Sequence, residues 1–363
     1  MKDRYNSGGI EDTTIEAKKA SDIFQIKIFV GFLATVIAMF ILQQMKNIFV
    51  PLFMALLLYF LFNGAVKTLV AKKIPISLVL GVLLVFIFIL FYFFGLLIYS
   101  SASSFIEKFP TYTGRIGEMV QNLFTQLKIP VADLNSYLAK IDWNKAVDTS
   151  SITSFLSTTF GSFAAFIGNL LLVLVYLMFM LAGRKALTGR LNKAFEINHA
   201  QKMEYIINAI ENQVQHYLVV KTFISLSTAI VCAIILFSTG MDFVVFSALL
   251  IFVFNYIPNI GSIVATFFPI LFGVLKYGFC FRVLFMTLGL MATQFIIGNV
   301  LDPKLTGKSL NLSPIIILVS LIFWGYIWGI VGMILAVPLT SALKIIFQNI
   351  TILRPIAELI SGE

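Results

Sequence analysis

Residues 76–99 read ISLVLGVLLVFIFILFYFFGLLIY, an apolar run without a single charge. A helix needs about 20 apolar residues to cross a hydrocarbon core about 30 Å thick, so this stretch predicts a membrane span. The rest of the chain agrees with that reading. Of its 363 residues 59% are hydrophobic and 12% charged, with a mean hydropathy of +0.97. A water-facing surface draws on about 25% charged residues, so a soluble globular domain is excluded. The 37 Phe residues point the same way, because Phe meets lipid at no polar cost. The prediction is an all-α, polytopic membrane helix bundle.

Upstream of that run, residues 28–45 and 48–64 are two short apolar runs parted by Lys46 and Asn47. Pro51 falls in the first turn of the second run, where its missing N–H costs little. The pair predicts a helical hairpin, and 28–99 is read as the N-terminal spans. The tail 1–27 mixes acids and bases and is expected to be flexible. It is too polar and too long for the n-region of a secretory signal, and no small-residue cleavage site follows the first apolar run.

Downstream, 100–150 changes character, with charges from Glu107 to Asp148. Ile116, Met119, Val120, Leu123, Phe124 and Leu127 recur on one helical face, and Pro130 is expected to end that helix. Val131, Leu134, Leu138 and Ile141 continue the pattern in a second helix. The segment predicts a small extracytoplasmic module resting on the bundle or on the bilayer. A long span over 151–182 follows. Residues 183–216 then form a basic amphipathic stretch, with Arg184, Lys185, Arg190 and Lys193 ahead of the stripe Met203, Ile206, Ile207, Ile210, Val214. It leads into a fifth span over 218–237.

Orientation follows from Lys and Arg near the span ends. Lys67, Lys72 and Lys73 fill one loop without an acid, and 184–202 is equally basic. Both lie on the cytoplasmic side if the N-terminus does too. The net charge of +9 is then loop charge rather than a nucleic-acid surface. The expected location is the inner (cytoplasmic) membrane, multi-pass, with cytoplasmic tails at 1–27 and 347–363.

The segment 217–346 departs from ordinary spans. The apolar stretch after Asp242 is interrupted by Asn255-Tyr256-Ile257-Pro258-Asn259-Ile260-Gly261-Ser262, then resumes. A Pro and a Gly there break the helix and free backbone groups, which lipid tolerates only where protein or a cavity receives them. A full span over 281–299 follows, then the polar loop Leu301-Asp302-Pro303-Lys304-Leu305-Thr306-Gly307-Lys308-Ser309. A second broken pair turns at Trp324-Gly325-Tyr326-Ile327-Trp328-Gly329. Sliding the first pair onto the second sets Gly261 against Gly329 and Lys276 against Lys344, with Pro269 one residue off Pro338. A span plus a hairpin, re-entrant or broken, repeated with opposite entry reads as an inverted repeat. Secondary transporters use that plan to alternate access around a midplane site. Two ordinary short-span pairs in a packing domain are the plainer reading.

The candidate substrate- or ion-binding residues are Asn255, Pro258, Asn259, Gly261, Ser262, Asn299 and Asp302. Pro258, Gly261, Gly325 and Gly329 mark the breaks. Asp302 could bind a cation or proton, or cap the turn after it. The Asn and Ser side chains could serve a solute or the freed backbone. Lys221, one turn inside span five, is expected to snorkel to the interface. Trp324 and Trp328 flank the second break or belong to an interfacial belt. Cys232 and Cys280 lie in apolar runs and read as core residues.

The same residues resemble the autoinducer-2 exporter family of permeases. The resemblance rests on residues 255–262, on Gly298-Asn299 leading to Asp302-Pro303-Lys304-Leu305-Thr306-Gly307, and on Leu312-Ser313-Pro314. Phe323-Trp324-Gly325 through Gly329-Ile330-Val331-Gly332-Met333 to Ala336-Val337-Pro338-Leu339 completes it. It is closest over about 217–346, while the hydropathy fits nearly the whole chain. Where the family often has Glu, this chain has Asp302. The resemblance implies a multi-span permease exporting a small polar signalling molecule, while some relatives are linked instead to cation/proton antiport.

Enzyme classes find no inventory. Gly307-Lys308-Ser309 lacks the phosphate-loop glycine five residues earlier, where Asp302 stands. His199 and His216 have no metal-ligand spacing, no nucleophile elbow occurs, and Asp242 and Asp302 are isolated acids. No cofactor or metal is expected. The expected function is a secondary transporter of a small polar solute, with Na+ or H+ as coupling ion and the bilayer as its partner. An oligomeric channel or a structural membrane assembly remains the alternative class, and a homo-oligomer is compatible with either.

Overall fold

The computed structural model describes residues 25–26, 29–31, 33–126, 166–183, 189–190, 193–306 and 310–362. Among them the chain is helical, with a single isolated bridge between Leu312 and Ser361. Seven helices are long and apolar enough to cross a membrane. The N-terminal half comprises α1 (Phe29–Gln44), α2 (Lys46–Ala71), α3 (Ile76–Gln126) and α4 (Phe166–Gly183). The C-terminal half comprises α5 (Ile197–Ser238), α6 (Val244–Phe254), α7 (Ile260–Tyr277) and α8 (Phe281–Ile296). A π-helical turn at Ile297–Leu301 leads to the short α9 (Asp302–Thr306). The long α10 (Pro314–Gln348) and α11 (Arg354–Ile360) complete the chain.

Three boundaries differ from expectation. Only Met45 separates α1 from α2, with Met45 N–H bonded to Ile41 O and Phe49 N–H to Met45 O. An antiparallel helix pair needs a loop of about two to five residues, so this joint is a bend and not a hairpin. The basic amphipathic stretch and the fifth span are one 42-residue helix, α5. At 1.5 Å per residue it is roughly 60 Å long, twice a hydrocarbon core, so it also reaches well beyond one face. The apolar run at 76–99 continues without a break to Gln126. The remainder of the expected module, with its Pro130 boundary, lies outside the described residues, as do 151–165 of the long span.

Helix α5 is the axis of the molecule, packing against α2, α6, α8, α9 and α10. Its first half buries Val214, Tyr217 and Leu218 among α2, α3 and α4. Its second half buries Ala229, Cys232 and Leu236 against α6, α7 and α8. Cys280, by contrast, is exposed at the start of α8, because the apolar run containing it is broken there by an extended residue.

The two interrupted segments both reverse direction. Residues seven or eight apart in a straight helix lie more than about 10 Å from each other. A Cβ added to Gly261 would nevertheless collide with the carbonyl oxygen of Phe254, and one added to Gly332 with that of Trp324. The same two Cβ positions stand 3.1 Å from the Cβ of Ile257 and of Trp328. The first reversal uses Asn259 at φ 59° and the second Gly329 at φ 64°. By contact, the glycine in the place of Gly261 is therefore Gly332 and not Gly329: Gly261 meets the carbonyl seven residues before it and Gly332 the carbonyl eight residues before it.

Lys276 and Lys344 make similar contacts. Lys276 Nζ donates to Gly240 O at 2.9 Å and Lys344 Nζ to Asn311 O at 2.5 Å. Each lysine sits near the end of a hairpin's return arm and holds the loop that enters the same hairpin. On the first hairpin Asp242 adds ion pairs to Lys108 at 2.8 Å and to Lys276 at 3.0 Å. On the second, the segment at 347–363, expected as a tail, folds back instead: Ser313 N–H bonds to Ile360 O and Gly362 N–H to Asn311 O.

Candidate functional site

The site grows from one face of α5. Lys221, Ser225 and Thr228 recur at helical spacing and are all buried, although polar residues in an apolar helix would ordinarily face water. What they face is the tip of the first hairpin and the end of α8. Thr222 Oγ1 donates to Leu218 O at 2.6 Å and lies 2.7 Å from the Tyr256 hydroxyl. Its one hydrogen being committed to Leu218, the Tyr256 O–H donates to it. Asn255 Nδ2 donates to Thr228 Oγ1 at 3.4 Å. The tip is thus tied to α5 at two levels.

Lys221 is the main correction to the sequence reading. Its side chain does not snorkel: it is 6% exposed, and Nζ donates to Asp302 Oδ2 at 2.5 Å. Asp302 starts α9 directly after the π-helical turn. A π turn holds one more residue than an α turn and rotates the residues after it, and such bulges concentrate at functional sites. Here the rotation aims a carboxylate at α5. Tyr217, also buried, lies one helical turn from Lys221 and within electrostatic reach of Asp302.

The other sequence candidates divide. Asn255 and Gly261 are buried at the first tip, and Pro258 is half-buried. Asn259 is exposed, and Ser262 donates to Asn259 O at 2.9 Å. Asn299 is exposed and turns back onto Phe295 O at 3.3 Å, so it is not brought to Asp302. At the second break Gly325 leaves 3.0 Å between an added Cβ and Met333, and Gly329 carries the positive φ. Trp324 and Trp328 are core residues and not an interfacial belt. They form one buried cluster with Leu321, Ile327, Leu335 and Ile257. Ile257 belongs to the first tip, so the two hairpins share this core. The Trp328 indole N–H donates to Leu42 O at 3.1 Å, supplying a donor at the joint between α1 and α2.

A second buried charge escaped the sequence reading. Glu211 on α5 is 4% exposed. It accepts from Tyr59 O–H at 2.7 Å, from Asn63 Nδ2 at 3.2 Å and from Lys67 Nζ at 3.5 Å. The available signal was its position one turn from Ile207 on the apolar stripe. Beside it a cavity of about 600 Å³ opens between α2, α4, α5 and the return arm of α10, lined by Phe53, Tyr59, Phe179, Glu211 and Leu343 among others. Ser225 Oγ, Gln294 Nε2 and Ser341 Oγ are further buried polar atoms, without a hydrogen-bond partner among the described residues. No group of side chains suited to a metal ion occurs among those residues.

This architecture, with seven apolar helices among the described residues and polar and charged side chains turned inward, is that of a multi-pass membrane protein, and the family match makes it a transporter. The chain belongs to the AI-2E family of transporters, whose family model matches residues 27–352. It is 30% identical over 316 residues to the AI-2 transport protein TqsA of Escherichia coli K12, covering 87% of this chain and 90% of that one. A Haemophilus influenzae protein named for transport is 30% identical over 321 residues, covering 88% and 91%. A similarly named Borreliella burgdorferi protein is 31% identical over 265 residues, covering 72% and 70%.

Proposed function

We propose that this protein is a secondary transporter exporting a small polar solute across the bacterial inner membrane, with the two hairpins as its re-entrant, moving parts. The observation that carries the reading is the pair of reversals, one at Asn259 and one at Gly329, whose tips share a core. The entering arm of the first hairpin supports re-entry. The 11 residues of α6 reach about 16 Å, roughly half a hydrocarbon core. The matched glycines at both tips and lysines at both bases support an inverted repeat, the plan in which one half rocks against the rest around a midplane site.

The solute-facing groups in this reading are Asn255, Pro258, Asn259, Gly261 and Ser262 at the first tip, with Asp302 anchoring α9 to α5. The relative named as an AI-2 transport protein makes autoinducer-2 the first solute to test. The basic residues Lys67, Lys72 and Lys73 support a cytoplasmic side at the α2–α3 loop. Purified protein in proteoliposomes should carry autoinducer-2, or another member of a panel of small polyols and sugars, with a saturable rate that follows the imposed gradient. An ohmic current would assign a channel instead. No flux with any member of the panel would leave a structural assembly protein and contradict the proposal.

A further inference from the structure

We propose that Lys221 is the resident cation of the Asp302 carboxylate, standing where a sodium ion would otherwise sit, so that this carrier works without a metal coupling ion at that acid. Four observations bear on it. Lys221 Nζ is 2.5 Å from Asp302 Oδ2, with the lysine side chain 6% and the aspartate side chain 22% exposed. Lys221 is buried on α5 between the buried Tyr217 and Ser225 on the same helix. The aspartate is presented by a π-helical turn that rotates it toward α5. The neutral side chains of Asn299, Thr222 and Tyr256 are hydrogen-bonded elsewhere and bring no positive charge to the carboxylate.

The chemistry follows from charge balance. A carboxylate largely withdrawn from water is expensive unless a cation neutralises it. In sodium-coupled carriers that cation comes from solution and leaves with each cycle. A tethered ammonium does the same electrostatic work, but it is covalently held and cannot be exported. It also places a positive charge against one carboxylate oxygen, which repels a second cation from the other. Lys221 is therefore a specificity-determining residue: it excludes small metal cations from Asp302, and its removal should open a cation site that the native protein lacks.

The inference rests on the transporter reading only for its meaning in a transport cycle. Its test is an equilibrium measurement, so the two can fail separately. Thermal unfolding of the purified protein is followed while NaCl replaces choline chloride at constant ionic strength, and separately while pH is lowered from 8 to 5. The native protein should show no sodium-dependent rise in Tm. Lys221→Gln should unfold several degrees lower in choline at pH 8. It should recover part of that loss on adding sodium or acid, either of which supplies the missing cation. Tyr217 and Tyr256 are the neighbouring titratable side chains, and the double variant Lys221→Gln/Asp302→Asn controls for them by losing both responses. A Lys221→Gln protein indifferent to sodium and to acid would overturn the proposal. So would a saturable sodium stabilisation of the native protein that Asp302→Asn abolishes. That comparison needs no lysine variant, should Lys221→Gln fail to fold.

Discussion

At Gly261 the absence of a side chain is a packing requirement, since a Cβ there would collide with the Phe254 carbonyl, as one at Gly332 would with the Trp324 carbonyl. Overpacking against rigid backbone typically costs about 1–3 kcal/mol. Gly261→Ala and Gly332→Ala should therefore each lower Tm by several degrees. Gly298→Ala, where a Cβ meets nothing within 4 Å, should leave it unchanged; equal effects at all three would refute the tip geometry. Larger side chains at Gly261 test the fold rather than transport for the same reason. Glu211 supplies a second residue-level test. Tyr59→Phe removes the 2.7 Å hydrogen bond to its buried carboxylate, and leaving a charged acceptor short of a donor costs about 1.5–3 kcal/mol. Thermal unfolding should report that loss, and Tyr59→Phe in a Glu211→Gln background should cost less, because a neutral amide tolerates the missing donor better.

Among the elements, the π-helical turn Ile297–Leu301 leads directly into Asp302. Deleting Gly298 should let the turn relax to α-helix with α9 kept in register, because a π turn holds one residue more than an α turn. The deletion should then leave the Lys221–Asp302 pair, and with it Tm, close to native. A Tm as low as that of Asp302→Asn would mean that the geometry of the turn itself aims Asp302. The breaks themselves were legible in the sequence, because Pro258, Asn259 and Gly261 interrupt an apolar stretch with residues that bend or free the backbone. The lysine correspondence between the hairpins was legible too, although the glycine register was not. The lysines match at an offset of 68 residues and the tip glycines at 71, so no one register of the sequence shows both. The Lys221–Asp302 pair was hidden for a different reason: its partners lie 81 residues apart, and only tertiary packing decides that the lysine turns inward instead of snorkelling. Glu211 was half visible, as an acid on an apolar stripe. The joint at Met45 was misread because two charged or polar residues in sequence resemble a loop, yet helical bonding resumes across them.

For the molecule as a whole, α5 couples two bodies: α2, α3 and α4 around its first half, and α6, α7 and α8 around its second. The shared core of the two tips, Ile257 with Trp324 and Trp328, lies where those bodies meet the second hairpin. If the hairpins move during transport, the tip of the first must become reachable from each side of the membrane in turn. Asn259 is the position to watch, because it is exposed at that tip and makes the reversal with a positive φ that Cys tolerates less well but a single-residue turn can absorb. The most direct measurement is labelling of Asn259→Cys, in a chain with Cys232 and Cys280 replaced by Ala, by a membrane-impermeant maleimide applied from one side of oriented vesicles and then from the other. The account predicts labelling from both sides, with the ratio shifted by a transported solute. Labelling from one side only, unchanged by any solute that the vesicles carry, would contradict it.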